Sequence, residues 1–126
     1  LETKDNLWGV IVMKLAECQQ HILLQPEPRL DLQGGNALKQ QVLAIPPEPP
    51  QLWIIDLAEV EFIDSSGLGA LVTALKSARR LGCRLVLCHP SATVKLIFEI
   101  TQLDRVFEIF DQLEAVFSTD TELLSA

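Results

Sequence analysis

Apolar residues follow two different periods along this chain. Leu52-Trp53-Ile54-Ile55-Asp56-Leu57 is an almost unbroken apolar run rich in β-formers, the pattern of a strand buried on both faces. From Leu68 onward the spacing changes: Leu68, Leu71, Val72, Leu75 and Ala78 form one helical stripe, with Thr73, Lys76, Ser77, Arg79 and Arg80 opposite. This predicts a helix from about Ser66 to Leu81 that packs on the sheet and shows water a basic face. Arg79 and Arg80 suit the negative end of its dipole, and Gly82 permits a left-handed exit.

The same reading places other elements around this pair. Leu7 to Leu15 and His21 to Leu24 read as strands of an antiparallel hairpin joined by Glu17-Cys18-Gln19-Gln20. Gly34-Gly35-Asn36 opens a helix with Leu38, Val42 and Ile45 inward, ended by Pro46-Pro47, and Pro46 to Pro50 forms a stiff connector. Arg84 to Cys88 is a second buried strand, and Ser91 caps a third helix through about Ile100. Val106 to Ile109 reads as a short last strand, and Asp111 as the cap of a closing helix through Phe117. In the third helix Val94, Ile97 and Phe98 share a face, while Leu96 and Ile100 project away from it. These two are expected to pack beneath Leu103 and Phe107, with a partner surface as the alternative. The expected fold is α/β, a mixed, mostly parallel sheet of about five strands with about four helices. One domain covers 1–126, with its core over about 7–117 and a fraying tail at 118–126.

Composition narrows the function classes. At 126 residues and 48% hydrophobic content the chain can bury one real core. A net charge of -7 without a Lys/Arg tract disfavours nucleic acid and anionic membrane surfaces, and leaves a protein partner open. Cys18, Cys83 and Cys88 lack CxxC spacing, and their odd number argues against a disulfide framework or zinc site. They read as reduced, cytoplasmic residues. No apolar stretch reaches the ~18 residues of a membrane span, and Lys14 and Glu17 bound the first apolar segment too closely for a secretory signal.

The chemistry concentrates at Asp64-Ser65-Ser66-Gly67-Leu68-Gly69, between strand and helix. The first helical amides have no intrahelical acceptor, so an oxygen of Asp64, Ser65 or Ser66 is expected to take them. On composition alone, capping comes before a reactive or modified serine. In a sheet with parallel strands the carboxyl-edge loops gather, here Arg29 to Asn36, Asp64 to Gly69 and His89 to Thr93. A hydrolase would use Ser65 or Ser66 with His21 or His89 as base, but GxSxG is absent. Asp56, Glu59, Glu61 and Asp64 could attract magnesium, yet a solvated acidic loop explains them, and no metal or cofactor is expected.

The stretch Ile63-Asp64-Ser65-Ser66-Gly67-Leu68-Gly69-Ala70-Leu71 after an apolar strand resembles the signature of STAS domains, typified by bacterial anti-sigma factor antagonists. The resemblance extends to Arg29-Leu30-Asp31 and to Ala92-Thr93-Val94-Lys95-Leu96-Ile97-Phe98, covering most of Val10 to Phe117. It implies a non-enzymatic cytoplasmic switch in which Ser66, or as second choice Ser65, is phosphorylated by a kinase that is also the anti-sigma factor. The unphosphorylated antagonist captures that kinase, and a metal-dependent PP2C-type serine phosphatase restores the serine. Asp31, Asp64, Ser65, Ser66, Gly67, Leu68, Thr93 and Val94 would then lie in or beside the binding surface, with Leu96 and Ile100 as a secondary one. Pro28 stands where many relatives have glycine, a departure that points to a different partner for this loop. The same resemblance includes STAS domains of transporters and lipid-transport assemblies, where the serine need not be modified.

Overall fold

Strand burial on two faces sets the architecture. The structure, a computed structural model, describes residues 20–48 and 51–117. In chain order the elements are β1 (Gln20–Leu24), β2 (Arg29–Leu30), α1 (Leu32–Leu43), β3 (Gln51–Asp56), β4 (Phe62–Ile63), α2 (Ser65–Arg80) and β5 (Arg84–Cys88). There follow α3 (Ala92–Thr101), a 3-10 turn (Leu103–Arg105), β6 (Glu108–Phe110) and a short helix α4 over 113–117. The main sheet runs β1-β3-β5-β6 with every pairing parallel. In β3, Trp53 and Ile55 face a core with Leu38, Leu71, Val94 and Phe98, while Leu52 and Ile54 face a second cluster closed by Val116. Burial on both faces is why this strand alternates so little.

Several expectations shift by a turn or less. The inward face of α2 is Gly67, Ala70, Leu71, Ala74, Leu75 and Ala78, with Leu68 and Val72 only half-buried. It is rotated toward the alanines because α1 packs there. α1 begins at Leu32, two residues before the predicted glycine start, because Asp31 caps it. Ser91 caps α3 as expected, its Oγ accepting from the Val94 N–H at 3.1 Å. Leu96 and Ile100 are 53% and 71% exposed, so they do not pack beneath Leu103 and Phe107. Phe107 instead meets Phe98 edge-on at 5.8 Å. The last strand lies at Glu108–Phe110, beyond the 3-10 turn that takes up the preceding residues. The predicted hairpin strand at 7–15 and Cys18 lie outside the described residues, and the second hairpin strand appears as β1, parallel to β3.

Two local devices hold the ends of the sheet. After α2, Gly82 adopts φ 73°, its N–H donates to the Arg79 carbonyl, and the Cys83 N–H donates to Ala78. This is a Schellman exit, which glycine adopts without a Cβ penalty. At the carboxyl edge His89, at φ 58° just past β5, joins β3 to α4. Its Nδ1 lies 3.0 Å from Asp56 Oδ1 and its Nε2 3.3 Å from the Leu113 N–H at the start of α4. Since Nε2 accepts a hydrogen bond, Nδ1 carries the ring proton and donates to Asp56. His89 thus receives the first amide of α4, and Asp111 does not; its Oδ1 accepts from Lys95 Nζ at 2.9 Å.

The smallest strands position the site. β2 and β4 form a separate parallel ladder, Arg29 opposite Phe62 and Leu30 opposite Ile63, extended by the Asp64 N–H donating to the Leu30 carbonyl at 3.3 Å. The Arg29 guanidinium also stacks over the Phe62 ring, 4.2 Å from its centroid. Each strand runs straight into a helix, and each helix has glycine at its third residue. A Cβ on Gly67 would overlap the Leu30 carbonyl oxygen, and one on Gly34 the Arg29 carbonyl oxygen. Gly69 meets nothing within 4 Å.

Two outcomes are expected. In urea denaturation Gly67→Ala and Gly34→Ala each destabilise the protein by about 2 kcal/mol, because backbone must move to admit a methyl group. Gly69→Ala is neutral or stabilises by up to ~1 kcal/mol through helix propensity. The second outcome concerns pH. Burial pushes the Asp56 carboxyl up, but hydrogen bonds from His89, the Ala58 N–H and Gln25 outweigh it and leave the value below normal. Because the folded value lies below the unfolded one, the contribution is complete above the ordinary carboxylate value of about 4 and fades as pH falls through the folded value. Asp56→Asn should therefore cost about 1 kcal/mol at neutral pH and flatten the acid limb of a stability-against-pH curve.

Candidate functional site

The ladder of β2 and β4 places two helix starts side by side. Asp31 and Asp64 follow Leu30 and Ile63 in register, both with extended backbone, and both are N-caps. Asp31 Oδ1 accepts from the Gly34 N–H at 3.0 Å, and Asp64 Oδ1 accepts from the Gly67 N–H at 3.0 Å. Each Asp carbonyl also receives an amide four residues on, from Gly35 at 2.7 Å and from Leu68 at 2.9 Å. The motif Asp-x-x-Gly thus occurs twice in the same geometry. The helices come close at their starts: a Cβ on Gly35 would sit 3.1 Å from Ala70 Cβ and 3.3 Å from the Ser66 carbonyl oxygen.

Capping by Asp64 answers which oxygen serves the helix. Ser65 and Ser66 occupy the first two helical positions, and both are exposed. Their amides fall among the orphan donors of a helix start, at the positive end of a 16-residue helix. The surface there is polar and anion-friendly except for the two cap carboxylates. Asp31 is held below the usual carboxylate range chiefly by the Gly34 N–H, an effect that outweighs its slight burial, and Arg29 Nε at 3.5 Å adds to it.

The remaining site candidates separate. Gly67 is buried, Leu68 is half-buried, and Asp31 and Asp64 are partly exposed around the serines. Thr93 is exposed in the first turn of α3, but Val94 is only 1% exposed and lies in the main core, so its side chain is not surface. Among the described residues no hydrogen bond or ion pair joins Thr93 to the two helix starts; they share the carboxyl edge of the sheet. Neither histidine is hydrogen-bonded to Ser65 or Ser66 among the described residues. His21 is exposed and stacks on Phe117 at 5.0 Å, while His89 is engaged with Asp56 and Leu113. The acidic set Asp56, Glu59, Glu61 and Asp64 does not converge, since Asp56 turns to His89 and Asp64 to Gly67.

Sequence reasoning missed the cluster of Asp56, Cys88 and His89, whose potential ligand atoms lie within 4.8 Å of one another. Its donors are already engaged: Asp56 Oδ1 holds His89 and the Ala58 N–H, Oδ2 holds Gln25, and burial pushes the Cys88 thiol up to about 11. This chemistry is that of a structural clasp. The signal for the second cap was present in the chain, as Asp31 and Gly34 repeat the spacing of Asp64 and Gly67 after an apolar residue. Among the described residues no helix is long and apolar enough to cross a membrane.

Comparison with known proteins fits this geometry. A Thermotoga neapolitana protein named as an anti-sigma factor antagonist is 30% identical over 93 residues, spanning 73% of this chain and 82% of that protein. The anti-sigma-B factor antagonist of Listeria monocytogenes is 47% identical over 55 residues, 44% of this chain and 48% of its own length. A crystal structure of an anti-sigma factor antagonist from Thermotoga maritima matches with a TM-score of 0.67 and 25% identity, over 79% of this chain and 86% of that one. A sulfate transporter family protein of Wolinella succinogenes shares the fold at a TM-score of 0.71 and 18% identity, over 84% of this chain and 88% of that one. The family model for the STAS domain matches residues 13–116, and the chain belongs to that family.

Proposed function

We propose that this chain is a non-catalytic anti-sigma factor antagonist, a cytoplasmic protein that captures an anti-sigma factor with serine kinase activity and loses it when Ser66 is phosphorylated. The relatives named as anti-sigma factor antagonists support the general role. One observation carries the switch: Asp64 caps α2, so the exposed Ser66 hydroxyl has no structural task and is free to be modified. Ser65, equally exposed, is the second choice. The docking surface comprises Asp31, Asp64, Ser65, Ser66, Leu68 and Thr93, with Gly67 and Val94 supporting it from within. A metal-dependent serine phosphatase resets the switch.

The energetics suit a change at the surface and not a refolding. Phosphoserine adds roughly -1.5 to -2 charge at a helix start, where the dipole favours an anion by ~0.3 to 1 kcal/mol. Repulsion from Asp64 and Asp31 opposes this, so the internal balance is nearly even. Across an interface the same charge needs to cost only ~2.7 kcal/mol for a hundredfold loss of affinity.

A second reading, a scaffolding or regulatory domain of a transport or signalling assembly, draws on Leu96 and Ile100 at 53% and 71% exposure. There the serines stay unmodified and the α3 face docks another subunit. Mass spectrometry of the protein from its host, before and after phosphatase treatment, separates the two. The switch predicts phosphate on Ser66, stability of Ser66→Ala within ~0.5 kcal/mol of wild type, and Ser66→Asp binding the kinase at least about tenfold more weakly than Ser66→Ala. An unmodified serine, or equal affinity of the two variants, rejects it.

A further inference from the structure

Beyond their close approach at Gly35 and Ala70, α1 and α2 leave a groove of ≈ 140 Å³ between Lys39, Val42 and Leu43 on one side and Thr73, Ala74 and Ser77 on the other. Its α1 wall belongs to a stripe at helical spacing, Leu32, Lys39 and Leu43, whose leucines are 63% and 76% exposed. Its α2 wall continues a stripe through Ser66, Thr73 and Arg80, seven residues apart on one side of the helix.

The charge around this groove is of one sign. α1 and α2 contain Lys39, Lys76, Arg79 and Arg80 and no Asp or Glu, in a chain of net charge -7. Among the described residues none of these four forms an ion pair, whereas Arg29, Arg84 and Lys95 each do. Asp31 and Asp64 cap the starts of the two helices at the Ser66 end, and the other described carboxylates lie outside both helices. The fold therefore segregates charge, with a cationic rim around exposed leucines on an otherwise acidic molecule.

We propose that this groove docks an acidic amphipathic helix of a partner protein. Its apolar positions seat on Leu43, above the nearly closed floor that Val42 and Ala74 form, and its carboxylates face Lys39, Lys76 and Arg80. The inference rests on the reading of the start of α2 as part of the docking surface and gives a physical reason for control by Ser66. That residue stands two turns, about 10 Å, before Thr73 on the same stripe, roughly one screening length away. A phosphate there adds to the Asp31 and Asp64 carboxylates at the head of a cationic track. An anionic lipid surface would meet the same cations, but a concave floor between two helices and the net negative charge oppose it.

The test uses the whole chain, labelled with ¹⁵N, and a synthetic peptide of about 18 residues with Leu at helical spacing and Glu elsewhere. The same peptide with Lys in place of Glu, and phosphatidylglycerol vesicles, serve as controls. Expected are amide shifts at Lys39, Val42, Leu43, Thr73 and Ser77 with the acidic peptide alone. Affinity should fall at least about tenfold in the Lys39→Glu/Lys76→Glu/Arg80→Glu variant, and separately in Leu43→Glu, both checked for native circular dichroism. Equal or tighter binding of the Lys peptide, shifts mapping elsewhere, no binding by millimolar peptide, or binding of vesicles in its place would each overturn the proposal. The two readings fail separately. A charge-reversal variant that still binds the kinase while Ser66→Asp does not would remove the groove and leave the switch.

Discussion

The short ladder between Leu30 and Ile63 is the constraint on which the site depends. Two residues of strand on each side are too few to add much stability alone. They fix the register in which both chains leave the sheet, so Asp31 and Asp64 arrive level with each other and both helices start from the same edge. The Asp64 N–H donates to the Leu30 carbonyl, and that same carbonyl is why Gly67 has no room for a side chain. A carboxylate cap, a glycine three residues on and an apolar residue before them form one device used twice.

From that device follows a division of labour between neighbouring residues. Asp64 satisfies a helix amide, which releases two hydroxyls from the capping role that serine usually performs. A serine that caps has its oxygen engaged by a helix amide; a serine beside a capping aspartate does not. The opposite pattern holds at Ser91, whose Oγ accepts from Val94 and is tied to the start of α3. These two serine-bearing helix starts therefore differ in chemistry though both look like caps on paper. His89 shows the same economy at the sheet edge, where one side chain just past β5 serves both β3 and the first turn of α4.

Much of the fold was legible because its periods were long. β3, α2, the glycine exit at Gly82 and the Ser91 cap all fall close to where apolar spacing and cap chemistry put them. β2 and β4 escaped, since two residues cannot display a period of two. The start of α1 was displaced because Gly34 and Gly35 look like helix breakers, while in place their missing side chains let β2 and α2 approach. The largest apolar residues of α2 suggest a face through Leu68 and Val72, whereas Ala70 and Ala74 face the neighbouring helix because they are small. Asp111 was a credible cap in one dimension, but in three Lys95 claims it. Of the site, the Asp64 to Gly69 segment was plain in the chain; which oxygen capped and which stayed free required geometry.

A charge placed on Ser66 should alter the surface and leave the fold as it is. Amide spectra of the protein before and after stoichiometric phosphorylation of Ser66 test this most directly. Expected are shifts confined to residues 31–35 and 64–73, with an unfolding free energy unchanged within about 0.5 kcal/mol. Shifts spread through β3, β5 and α4, or a large loss of stability, would contradict it.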